Sequence, residues 1–288
     1  MERDTHSRGI TGIVHNSIQK WTFMRKTLKL TMILLAITMT GCSVYNQARY
    51  PLAWAAKEGN LPEVERLASA NPASVNVQED RYGTTPLHQA AASGQYDIAK
   101  YLLDHGAQPN ARDFEQATPL YYVGGHPRKN SPQLAELLLQ RGADVDAETK
   151  DRMTPLHVAA LHDDAQDEIA MVLLQHGAKM DLRMVDGSTP LFLAALAAKE
   201  KVALLLITKG ANVNISDNTG NSPLHAAAAR NLDQVVKALI AKGATVNAKN
   251  NKGDTPMDIA FLTVLKGKGN AEILGVLKRS GGLSQYVR

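Results

Sequence analysis

An all-α solenoid of about seven helix-turn-helix units, joined by β-hairpin-like loops, is the fold class this sequence predicts. Two periodic signals carry that expectation. Prolines of one recurring motif fall at 51, 86, 119, 155, 190, 223 and 256, with successive gaps of 35, 33, 36, 35, 33 and 33 residues. After each interior proline a second motif follows: YLLDHGA (101–107), LLLQRGA (137–143), VLLQHGA (172–178), LLITKGA (205–211) and ALIAKGA (238–244). Bulk composition agrees, since 44% hydrophobic and 21% charged residues are ordinary for a folded chain with a wet surface.

The amino terminus stands apart from the repeats. Residues 24–42, MRKTLKLTMILLAITMTGC, place positive charges before an apolar run from Leu30 to Thr40, then small residues and a cysteine. That run is too short to span a bilayer of about 30 Å as a helix, but it suits a signal-peptide core. Met39-Thr40-Gly41-Cys42 resembles the lipobox of bacterial lipoproteins, in which the cysteine becomes the first mature residue and carries the lipid. A secretory signal with an incidental cysteine, or a buried amino-terminal helix, is the competing reading. The resemblance implies a signal peptide at 24–41, a lipidated tether at 42–50 anchored through Cys42, and residues 1–23 as an over-long start or extension. Ser43 after the cysteine then implies the periplasmic face of the outer membrane. Ser43 to Tyr50 reach at most about 28 Å when extended, so the following residues stay near the bilayer. Initiation at Met32 or Met39 would cripple the signal and leave a minor cytosolic form.

Each unit has its own local logic. In TTPLHQAA, Thr85 is placed to cap the first helix, and Pro86 occupies a first-turn position that needs no amide hydrogen. Ala90 and Ala91 are small enough for neighbouring helices to approach closely. Ile98, Tyr101 and Leu102 recur at helical spacing and face a core. Gly106 ends the second helix in a left-handed conformation, and AQPNARDFEQA beyond it is rich in turn residues. A single unit cannot bury its apolar face alone, and stacking does so. The ends differ as caps should: PLAWAAKEGNLPEVERLASANP (51–72) lacks the second motif, and TPMDIAFL puts Asp258 where histidine otherwise stands.

These paired motifs closely resemble the ankyrin repeat, which identifies the chain over 51–282 as an ankyrin-repeat solenoid, with a tail at 283–288. The resemblance implies that His88, His157 and His225 brace neighbouring hairpins. It also implies that partners lie against hairpin tips and the first-helix face of the concave side.

Several chemistries are disfavoured. Outside residues 1–42, which carry six of the 32 basic residues and two of the 28 acidic ones, the charges balance at 26 each. Nucleic acid is therefore not expected as a partner. Cys42 is the only cysteine, so neither an internal disulfide nor a thiolate cluster can form. No G-x-S-x-G, H-E-x-x-H or C-x-x-C occurs, and KGKGNAE (266–272) lacks the third glycine of a phosphate turn. We expect no enzyme, no cofactor and no metal, although His126 and His162 with adjacent carboxylates make a weak metal candidate.

Surface recognition remains. Hairpin-tip positions hold Arg81 and Tyr82, then Phe114 and Glu115, then Lys150, Asp151 and Met153. Tyr82, Phe114 and Met153 form the best strip of anchors. Tyr122 joins them because TPLYYVGGHPRKNSP (118–132) departs from the motif, with Tyr121 in the bracing slot. Units three and four carry enlarged turns between their helices, one with His126, Arg128 and Lys129, the other with His162 and Asp163. Stacking should make these turns neighbours, and loops often carry function. Arg230 is a further concave-side candidate.

The expected function is that of a monomeric, membrane-tethered module binding a protein, either a toxin or an envelope enzyme. Small ankyrin-repeat lipoproteins resemble immunity proteins that neutralise lipase-type toxins delivered into the periplasm. An envelope scaffold that supports a periplasmic catalase is the alternative.

Overall fold

The structure, a computed structural model, describes residues 49–78, 81–125, 130–161, 166–265, 269 and 271–286. The chain divides into two compact units, residues 1–51 and 52–288, and the repeat fold is that of the second. The expected signal segment 24–41 and Cys42 lie outside the described residues. So do His126, Arg128, Lys129, His162 and Asp163, and with them the proposed neighbouring of the two enlarged turns.

Fourteen α-helices and no strand occur among the described residues. They form seven pairs: α1 (Pro51–Glu58) with α2 (Leu61–Ala70), α3 (Pro86–Ser93) with α4 (Tyr96–Asp104), and α5 (Pro119–Gly125) with α6 (Ser131–Gln140). There follow α7 (Pro155–Leu161) with α8 (Gln166–Gln175), α9 (Pro190–Leu196) with α10 (Glu200–Lys209), α11 (Pro223–Arg230) with α12 (Asp233–Ala241), and α13 (Pro256–Leu265) with α14 (Ala271–Arg279). From α3 onward, first helices pack on first helices in chain order, and second helices stack likewise from α2 onward. The all-α solenoid expected from the period is what forms. None of the described helices is long and apolar enough to cross a membrane.

The period becomes a core because equivalent side chains stack. Leu87, Leu120, Leu156, Leu191 and Leu224, each one residue after the motif proline, are fully buried, as are Leu102, Leu138, Leu173, Leu206 and Leu239 of the second helices. Burying one such leucine is worth about 2 kcal/mol, and each seat is completed by the next unit. Alanines such as Ala90, Ala159 and Ala227, with no exposed surface, keep the first helices close. Gly106 adopts φ 89°, a left-handed conformation that releases α4 into the following loop.

Between units, polar contacts recur with the same spacing. The Asn76 amide donates to the Gly106 carbonyl at 2.9 Å and accepts from Gln108 N–H at 2.9 Å. Asn110, Asn214 and Asn247 repeat both bonds. Asp146 and Asp181 occupy the same seat but retain only the accepting half, from Lys179 N–H and Asn212 N–H.

At the amino-terminal end, a 3-10 turn (Pro72–Asn76) replaces the usual exit and buries Val75. At the other end, Asp258 draws the tail onto α13. Its Oδ1 accepts from Ser284 Oγ at 2.7 Å and Gln285 N–H at 2.9 Å, and its Oδ2 accepts from Thr255. Burial alone would raise this carboxyl's pKa, but the bonds from Ser284, Thr255 and Gln285 outweigh it and hold it below the usual carboxylate value. An aspartate in the histidine seat thus binds the tail where an interior unit would bind the next hairpin.

Candidate functional site

The hairpins between units are held by backbone bonds, and each also bonds its neighbour. Asp113 N–H donates to the Ala117 carbonyl at 3.0 Å and Thr149 N–H to Met153 at 3.0 Å, which closes two of them. Phe114 N–H then donates to the Tyr82 carbonyl at 2.9 Å, Lys150 N–H to Glu115 at 3.0 Å and Val185 N–H to Asp151 at 3.1 Å. A continuous row of tips results, and its side chains share one surface.

Behind the tips, the motif histidines act as braces. Thr85 N–H donates to His88 Nδ1 at 3.1 Å, so Nδ1 is unprotonated and Nε2–H donates to the Ala117 carbonyl at 3.1 Å. His157 does the same between Thr154 and Ser188, and His225 between Ser222 and Asp254. Burial lowers the pKa of all three, more than the accepting carbonyls raise it, so each brace is a neutral imidazole.

The third unit breaks this pattern. Tyr121 fills the histidine seat, and its hydroxyl reaches across to Met153 Sδ at 3.5 Å. Thr118 Oγ1, whose counterpart in unit two bonds His88, is buried and has no hydrogen-bond partner among the described residues. Tyr122 turns back to its own hairpin and donates to Asp113 Oδ2 at 2.6 Å, with its ring edge-on to His88. Burial and the Asp113 carboxylate push this phenol far above its ordinary range, so it stays a donor. The two tyrosine rings meet edge to face at 5.7 Å.

These side chains floor a cleft of about 350 Å³ across the tips of the hairpins before units two, three and four. Tyr82, 56% exposed, and Phe114, 51% exposed, form its open wall, and Met153 lies opposite. Asp113 is buried beneath them; its Oδ1 accepts from Glu115 N–H and Ala117 N–H, which fixes the hairpin. Lys150 and Glu115 pair loosely at 3.5 Å on the rim. The Arg81 guanidinium carbon lies 5.3 Å from the Tyr82 ring centroid. Gly83 makes room for Phe114, because a Cβ on it would sit 2.5 Å from the ring, and its φ of 72° already favours glycine.

Of the residues singled out in the sequence, the structure brings Arg81, Tyr82, Phe114, Glu115, Tyr122, Lys150, Asp151 and Met153 into this one cleft. Arg230 ends α11 in the sixth unit and is not part of it. Sequence reading missed Asp113 as a cleft residue. An Asp or Asn six residues before the motif proline recurs at 217 and 250 as a turn former, and that ordinary role hides the added bond from Tyr122. Tyr121 was expected to pack or hydrogen-bond between repeats from its bracing slot, but not to line the cleft, and Gly83 was overlooked. Among the described residues no group of three or more His, Cys, Asp or Glu is placed to hold a metal ion.

Comparison with known proteins points one way. A family described as ankyrin repeats (three copies) matches residues 24–113 and 127–217, and one described as ankyrin repeats (many copies) matches 204–260. A putative ankyrin repeat protein of Rickettsia felis is 37% identical over 109 residues, 37% of this chain and 46% of that protein. The human transient receptor potential cation channel subfamily A member 1 is 33% identical over 116 residues. That match spans 40% of this chain but only 10% of the channel. Among solved structures, the human ASB11 ankyrin repeat domain superposes with a TM-score of 0.67 at 25% identity, covering 81% of this chain and 98% of that one. The ankyrin repeat domain of Bcl-3 gives 0.63 at 30%, covering 79% and 97%.

Proposed function

The chain belongs to the ankyrin-repeat family, a fold that serves as a protein-interaction scaffold, and from that premise we propose that it is a lipid-tethered periplasmic inhibitor of a delivered lipase-type toxin. One observation carries the reading: the tips of three successive hairpins, with two tyrosines in place of the regular motif, build a single aromatic cleft of about 350 Å³. The exposed faces of Tyr82 and Phe114 supply the kind of large, rigid contact area that anchors interfaces. Backbone bonds already link the successive tips, so little ordering is needed on binding. The address comes from Met39-Thr40-Gly41-Cys42, whose likeness to a lipobox would tether the module to the outer membrane where such a toxin arrives.

The test is competition against sibling bacteria. Deletion of the gene sensitises cells, and the intact chain restores resistance. Phe114→Ala and Tyr121→His fail to restore it, although the second returns the regular motif and keeps the fold. Cys42→Ser also fails by misplacing the module. A deletion strain that stays fully resistant overturns the toxin reading, and a captured catalase with peroxide sensitivity on deletion would replace it with a scaffold.

A further inference from the structure

Resting on the reading of this cleft as the partner surface, we propose that it receives a cationic side chain of the partner, an arginine, stacked on the aromatic wall and facing Asp113 and Asp151. Three features support this. First, the floor and wall are aromatic: Tyr82, Phe114, Tyr121 and Tyr122 line the space with Met153. Such rings attract cations, and most strongly where water is partly excluded. Second, a guanidinium already approaches one of these rings, with the Arg81 carbon 5.3 Å from the centroid of Tyr82. Third, the acids outnumber the bases that answer them. Lys150 is engaged with Glu115 at 3.5 Å. Asp113, 4% exposed, is satisfied by hydrogen bonds from Tyr122, Glu115 and Ala117 but has no ion-pair partner among the described residues. Asp151, exposed at the next tip, likewise makes no side-chain hydrogen bond or ion pair among the described residues. These hydrogen bonds satisfy the Asp113 oxygens without neutralising its charge, and a guanidinium entering above it, beside Asp151, adds a positive charge of the complementary sign.

Arginine fits better than lysine. Its planar group is weakly hydrated, stacks on rings and forks onto carboxylates, whereas an ammonium is a compact and strongly hydrated point charge.

The experiment is a titration of the full chain with a capped Gly-Arg-Gly peptide, read by tyrosine fluorescence and by side-chain NMR shifts. The counterparts carry citrulline, a neutral near-isostere, or lysine at the centre. Saturable binding of the arginine peptide is expected, about fivefold or more weaker for citrulline, and weakened by added salt. Asp151→Asn, a surface change that leaves the hairpin bonds intact, lowers arginine affinity and leaves citrulline unaffected; Arg230→Ala changes neither. Equal binding of arginine and citrulline, or no saturable binding of either, overturns the inference. If resistance to sibling attack still depends on Phe114, such a result sinks the arginine alone. If the arginine peptide binds as expected but Phe114→Ala protects cells normally, the cation site stands and the cleft is not the toxin surface.

Discussion

Units two and three start from nearly the same letters, TTPLHQAA and ATPLYYVG, and use them for different ends. In unit two, His88 ties Thr85 to the next hairpin through Ala117. In unit three, Tyr121 leaves Thr118 Oγ1 without a partner and reaches for Met153. The lost brace costs local stability, since a buried hydroxyl without a hydrogen bond is unfavourable by about 1–3 kcal/mol. What the change creates is an aromatic floor between hairpins that are otherwise merely linked. A motif seat can therefore be structural in one unit and a recognition surface in the next, and the partners of the side chain tell which.

The comparison can be broken at the brace. His225→Ala, far from the cleft, leaves Ser222 N–H buried without its acceptor and removes one of the two bonds to the Asp254 carbonyl, which keeps the one from Asn250 N–H. We expect a loss of about 2–3 kcal/mol in urea unfolding, with arginine-peptide binding unchanged. A destabilisation near zero would mean that the histidine seat is not a brace at all.

Acid should act on all three braces together. Burial lowers the pKa of His88, His157 and His225 in the folded chain. Between the ordinary histidine value of about 6.5 and the lowered folded values, the unfolded chain binds more protons than the native one. Stability therefore falls as pH falls through that window and is fully present above it. Urea midpoints at pH 7.5 and 5.5 should show the drop, and His225→Ala should make it shallower. The stability from Asp258, held low, is fully present above its ordinary value of 3.8 and is lost only in more acid solution, as pH falls through its folded pKa and its hydrogen bonds to the tail go.

Threonine deletion sharpens the contrast between units. Thr154→Val removes a hydroxyl that bonds His157 and is expected to cost about 1 kcal/mol or more. Thr118→Val removes one that has no partner among the described residues, and should be neutral or slightly stabilising by thermal melting. Equal effects would refute the difference described between the two seats.

The smallest effect concerns the inter-unit amide row. Asn214 both donates to Gly243 and accepts from Thr245 N–H, whereas Asp181 in the equivalent place only accepts. Asp181→Asn should add a bond to the Gly210 carbonyl and raise stability by about 0.5–1 kcal/mol.

Much of this was legible in the residues because a repeat states its rule several times over. The prolines, the leucine that follows each one, and the glycine that ends each second helix mark the same seats unit after unit. Tyr82, Phe114, Lys150, Asp151 and Met153 were recognisable from hairpin position alone. Asp113 was not, because an acid six residues before a motif proline reads as a turn former wherever it occurs. Its second role depends on Tyr122 folding back onto its own hairpin, a contact between residues that share no periodic relation.

By itself the sequence determined the solenoid, its repeat period and the recurring seats of proline, leucine and glycine in each unit, since period and local chemistry act within one unit and its neighbour. Only the tertiary structure decided that Tyr121 abandons Thr118 for Met153, that Gly83 seats the Phe114 ring, and that eight scattered candidates share one cleft while Arg230 does not. Which way a side chain turns is chosen by competing partners on separate hairpins, and those partners meet only when the stack is complete.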